Sequence, residues 1–159
     1  MTAFLFSGFI VSKTEAQVGV NVNVNIGHQP VWGPVGYDYV EYYYMPDIEV
    51  YYWVPRRQFI YFSGGRWLFA ASLPVAYRSY NLYSGYKVVI NEPKAYLHFN
   101  NHKIKYKTYK GHYGKQTIIR SSNDSKYFVV KGHPKYKSSG NSGNKNKGNP
   151  GKGNKKGKN

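Results

Sequence analysis

The chain has 159 residues, no cysteine and a net charge of +16. That length holds one ordinary domain plus appendages. The missing cysteines exclude a disulfide framework, a thiolate metal site and a cysteine nucleophile. The charge is uneven: residues 16–100 carry six Lys/Arg against five acids, whereas residues 101–159 carry sixteen against Asp124 alone. A near-neutral body with a polycationic last third implies an anionic partner. Aromatic usage is high, with 18 Tyr, 8 Phe and 3 Trp. Tyrosine buries a large ring yet keeps a hydroxyl that needs a partner, which suits half-wet sheet faces and binding surfaces.

At the N-terminus, Ala3 to Val11 form an apolar run of signal-peptide length, too short to span a bilayer. Thr14-Glu15-Ala16 then places small residues at −3 and −1 of a cut before Gln17. Only Met1 and Thr2 precede the run, so the basic start of a complete signal is expected upstream. Residues 1–16 therefore read as a truncated export signal, and the alternative is a short apolar strand.

Residues 17–136 read as a tyrosine-rich β domain. Val18, Val20, Val22, Val24 and Ile26 alternate with polar or small residues, which predicts a half-buried strand. The following GHQPVWGPVGYDYVEYYYMP carries three prolines and three glycines and predicts a long loop or irregular edge. In Asp47–Val54, Ile48, Val50, Tyr52 and Val54 share one strand face, and Glu49, Tyr51 and Trp53 the other. Gln58–Phe62 and Trp67–Ala71 flank Ser63-Gly64-Gly65-Arg66, the clearest hairpin signal in the chain. Trp67 restarts the strand after that turn and is expected to clamp the hairpin as a buried ring.

Val75–Leu82 predicts a short helical turn, and Tyr86–Ile90 and Tyr96–Phe99 predict strands. In KIKYKTY, Lys103, Lys105 and Lys107 alternate with Ile104, Tyr106 and Thr108, a strand with one basic face suited to a sheet edge. Gln116–Ile119 and Tyr127–Lys131 predict one more hairpin. The expected fold is thus mostly β, a small antiparallel sheet of hairpins or a meander with at most one short helix. Residues 137–159 form a basic tail. From Ser138 onward, 18 of 22 residues are Gly, Asn or Lys, with no apolar side chain to repay ordering, which predicts disorder.

The run MPDIEVYYWVPRRQFIYFSGGRW, continued by SLPVAYRSYNLYSGYKVVIN, resembles a group of small secreted proteins of Bacteroidota. The shared elements are Pro46–Tyr52, Val54-Pro55, Gly65–Trp67, Leu73-Pro74 and Gly85–Val88, over roughly 45 residues. Many members also end in a Lys/Gly/Asn-rich tail. The resemblance implies export from a bacterial cell and carries no activity with it.

Catalytic and metal signals are sparse. His98 and His102 stand four apart, which on a helix would put both on one face for a metal. On the strand predicted here they lie about 13 Å apart, too far for one ion, and read as surface imidazoles. Asp47 and Glu49 share a strand face if that segment is extended, a pairing that could serve acid–base work on a glycosidic bond. Cross-strand pairing with Arg56, Arg57 or Arg66 is the ordinary alternative. No serine stands in a Gly-x-Ser-x-Gly context, and no residue set calls for a cofactor.

Both faces of Asp47–Ala71 carry rings, whereas a single sheet in water needs only one apolar face. Either residues 37–44 cover the second face, or Tyr51, Trp53 and Trp67 form a ligand platform. The leading functional expectation is an exported, non-enzymatic envelope protein that contacts anionic surface polymer. Lys103, Lys105 and Lys107, with the tail's Lys145, Lys147, Lys152, Lys155, Lys156 and Lys158, would make that contact. The alternatives are an aromatic-face module for glycan or peptide, and a periplasmic metal-homeostasis protein, echoed faintly by Leu73-Pro74 before Tyr77-Arg78. The signal-like start argues against an intracellular nucleic acid as the partner.

Overall fold

The computed structural model describes residues 24–137. Both the segment expected to be an export signal and the tail from Ser138 onward lie outside the described residues, as does most of the predicted Val18–Ile26 strand. Its last residue, Ile26, opens a 3-10 turn, Ile26–His28, and is not extended.

The domain is an antiparallel five-stranded sheet with one short helix. The strands are β1 (Tyr42–Met45), β2 (Val50–Trp53), β3 (Gln58–Ser63), β4 (Arg66–Ala70) and β5 (Val88–Ile90). Their spatial order is β4-β3-β2-β1-β5, so the first four form a meander and β5 returns to close the β1 edge. At the β3–β4 turn, Gly64 and Gly65 have φ of 57° and 76°, the doubly left-handed geometry that matches strand twist. Ser63 and Arg66 face each other across it.

β1 corrects the predicted loop. Tyr42, Tyr43, Tyr44 and Met45 are all buried, because the strand lies between β2 and β5 with both faces covered. Such a strand reads as a continuous apolar run, without the alternation that marks a half-buried one.

The two faces predicted for β2 hold. Val50 and Tyr52 point with Tyr43, Met45 and Phe59 into one core, closed by Trp32, Val40, Leu73, Tyr80 and Leu82. Tyr51 and Trp53 point with Tyr42, Tyr44 and Ile60 into a second core. Residues 37–44 do not cover that second face, since they supply β1 itself. Its cover is a 3-10 turn, Ala95–His98, running into helix α1, Phe99–Lys105.

The strands predicted at Tyr96–Phe99 and Lys103–Tyr109 are therefore helical. Ala95, Phe99, His102 and Tyr106 recur at helical spacing and meet the sheet. This inward stripe outweighs the lysine alternation, which tertiary burial does not read. The predicted hairpin at 116–131 is also absent. Ile119–Ser121 and Ser125–Val129 are 3-10 turns, tied in by an isolated bridge between Pro34 and Ile118. Ile119, Tyr127 and Val130 form a small third core there. In the segment predicted as a helical turn, Val75–Tyr77 is a 3-10 turn.

Candidate functional site

Asp47 and Glu49 do not share a strand face. They sit in the β1–β2 turn, where the Glu49 N–H returns to the Met45 carbonyl at 2.9 Å and Glu49 has a φ of 56°. The Asp47 carboxylate accepts from the Tyr80 hydroxyl and from the Gly111 N–H. Glu49 pairs with Lys103 and Lys110, each at 2.8 Å, and not with the arginines expected from sequence. Burial alone would raise the Glu49 carboxyl, but the two ammonium groups outweigh it and hold it below its usual range. Both acids are thus engaged as structural acceptors.

The histidine pair is helical, and its members part company. The ring centroids of His98 and His102 lie 6.3 Å apart. His98 is exposed, whereas His102 is buried and spends both nitrogens on protein. Its Nδ1 lies within hydrogen-bond distance of the Tyr51 hydroxyl, at 2.8 Å, and its Nε2 faces Glu92 Oε1 at 2.9 Å. Burial lowers the His102 pKa against the pull of Glu92. A metal would have to displace one of these partners, and of the two it is His102 alone that fixes α1 on the sheet.

Burial also removes Tyr51 from any ligand platform, since it is fully enclosed beneath α1. Trp53 stacks on Tyr42 and donates its indole N–H to Glu41 at 2.8 Å. Trp67 is half-buried, with edge contacts to Tyr51, Phe62, Tyr96 and Phe99. It clamps the hairpin to the helical segment as well as to the sheet.

What the fold leaves open is a groove along the α1 face. Three adjoining cavities, of about 350, 530 and 280 Å³, all share Phe99 as a wall. Phe62 and Tyr77 line the first, Ile104 the second, and Phe62, Trp67 and Leu97 the third. Lys103, Lys107 and Lys110 line the largest cavity around Phe99 and Ile104. Lys105 does not join them, because residues two apart on a helix point apart; its ammonium lies 5.2 Å from the Tyr106 ring. The predicted single basic face of Lys103, Lys105 and Lys107 thus becomes a rim of Lys103, Lys107 and Lys110. Lys110, which the sequence also offers as a weaker basic contact, meets Lys103 at Glu49, since both ammonium groups pair with that carboxylate. The six tail lysines lie outside the described residues.

This arrangement offers an apolar trough with ammonium groups at its lip. Among the described residues, Glu49 is the acid that meets those lysines. Also among them, no helix is long and apolar enough to cross a membrane. Comparison of the chain with protein-family models, with curated proteins and with solved structures gave no match in any of the three.

Proposed function

We propose that the protein is an exported, non-enzymatic binding module that holds anionic material of the bacterial envelope through the α1 groove and the basic tail. The observation that carries this reading is the convergence of Lys103, Lys107 and Lys110 on one cavity. Sixteen Lys/Arg against one acid over residues 101–159 extend the same sign of charge to the end of the chain. Clustered ammonium groups gain affinity for a polyanion by releasing its counterions, whatever the polymer's sequence.

The test is titration of the full chain with heparin, as a soluble polyanion, across a salt series. Six engaged lysines give about a thousandfold loss between roughly 50 and 200 mM salt on a duplex, and less on a flexible polymer. Two variants divide the contribution: Lys103→Gln with Lys107→Gln and Lys110→Gln, and truncation after Lys137. Each should weaken binding and flatten the salt slope. Unchanged affinity and slope in both would overturn the reading. Fractionation of the native cell, with N-terminal sequencing of the mature chain, tests export; recovery in the cytoplasm with Met1 intact would refute it.

A further inference from the structure

The α1 groove pairs its charge with a feature that a polyanion alone does not require. Ile104 is 76% exposed, Leu97 61% and Phe62 53%, and all three line cavities that share Phe99. Phe69, 45% exposed, continues the patch through its edge contact with Tyr96. Scattered exposed apolar residues are ordinary, but a contiguous patch rimmed by one charge marks an interaction surface. These side chains come from three separate segments: the β3–β4 hairpin, the 3-10 turn and α1. The fold gathers them on the same face as Lys103, Lys107 and Lys110.

We infer that this face docks on an anionic lipid surface, with Phe62, Leu97 and Ile104 entering the acyl boundary while the lysines meet the headgroup phosphates. The inference rests on the envelope-binding reading above and names its ligand. Charge complementarity selects the occupant. A neutral apolar partner would leave Lys107 without counter-charge among the described residues, and Lys103 and Lys110 with only the single carboxylate of Glu49 between them. A hydrophilic polyanion would leave three large apolar side chains in water. An anionic lipid satisfies both demands at once. The arrangement matches interfacial segments generally, where apolar residues sink to the headgroup boundary and basic ones remain at its surface. The closeness of Trp67 to Phe62, Leu97 and Phe99 provides an internal reporter at the trough.

The experiment uses the full chain with vesicles of phosphatidylcholine, alone or with phosphatidylglycerol, and a second set in which the acyl chains carry bromine. Phosphatidylglycerol vesicles should co-sediment the protein, and neutral ones should not. Brominated chains should quench tryptophan emission in the native protein and much less in Trp67→Phe. Leu97→Ser with Ile104→Ser, both at exposed positions, should weaken vesicle binding about tenfold or more and heparin binding far less. Lys107→Gln should cost about fivefold on vesicles. A retained melting temperature confirms that each variant is folded. Heparin binding without bromine quenching, or full vesicle affinity in the Leu97/Ile104 pair, would overturn the lipid inference and leave the polyanion reading standing. Failure to bind either heparin or anionic vesicles would overturn both.

Discussion

The hydroxyl of Tyr51, on the central strand, lies 2.8 Å from Nδ1 of His102 on α1, and this is the polar contact through which the helix is keyed to the sheet. Glu92 Oε1 stands 2.9 Å from the other ring nitrogen, while His98, Lys105, Tyr44 and Tyr106 surround the ring. Replacing His102 by Leu strands the Tyr51 hydroxyl in a dry interior and should cost about 2–4 kcal/mol in urea unfolding. Tyr51→Phe in the same chain should return part of that loss.

The same imidazole sets a pH dependence. Its folded pKa is lowered by burial, so the unfolded chain takes up the proton first as pH falls. Stability is complete above the ordinary histidine value of about 6.5 and declines below it. Thermal melts across that range should show the decline in the native protein and a flatter profile in His102→Leu.

Lys87 is buried with its ammonium unpartnered among the described residues, 5.9 Å from the Trp32 ring. Burial lowers its pKa to about 8. The penalty for charging it is absent above the unfolded lysine value and grows as pH falls toward 8. Lys87→Met keeps the stem and removes the charge, and should stabilise the fold by about 1–3 kcal/mol at neutral pH. Chemical denaturation of the two proteins at pH 7 measures it; a destabilised variant would mean that the ammonium has a counter-charge.

Glu49 ties up two of the groove's three lysines. Glu49→Gln should release Lys103 and Lys110 and tighten heparin and anionic-vesicle binding about threefold to tenfold, while costing less than about 1 kcal/mol of stability. Titration at fixed salt reads the first effect, and urea unfolding the second.

Gly33 has no room for a side chain. A Cβ there would stand 2.6 Å from the Tyr43 hydroxyl and 3.1 Å from the Pro30 carbonyl oxygen. Tyr43 is fully buried and its hydroxyl is bonded to Gln29, so it has nowhere to retreat. Gly33→Ala should cost about 1–3 kcal/mol by overpacking, read as a lowered melting temperature. Gly64→Ala, with open space around it, tests only backbone strain.

The hairpin and the two faces of β2 were legible because their signals are local: a double glycine at the turn, and alternation along one strand. β1 was not, because a strand covered on both sides loses its alternation and YYYM could equally be loop. The lysine rhythm in 103–108 hid the helix, since solvent-facing charges alternate by chance while Ala95, Phe99, His102 and Tyr106 carry the burial. Those four positions were the available signal. The basic character of the site was visible in the charge division, but its partner surface was not. Phe62 and Leu97 stand 35 residues apart in sequence, and only the docking of α1 on the sheet makes them neighbours.

The sheet order also sets a schedule for the growing chain. β1 can pair with β2 as soon as the intervening turn is made, but its other edge waits for β5, which begins 43 residues after β1 ends. At synthesis rates of about 5–20 residues per second that interval is about 2–9 s. Throughout it, three consecutive tyrosines and a methionine present an unpaired, uncharged edge, the kind that recruits a foreign strand. The chain is therefore most vulnerable to aggregation before Val88 is made, which favours keeping it extended until β5 is in reach.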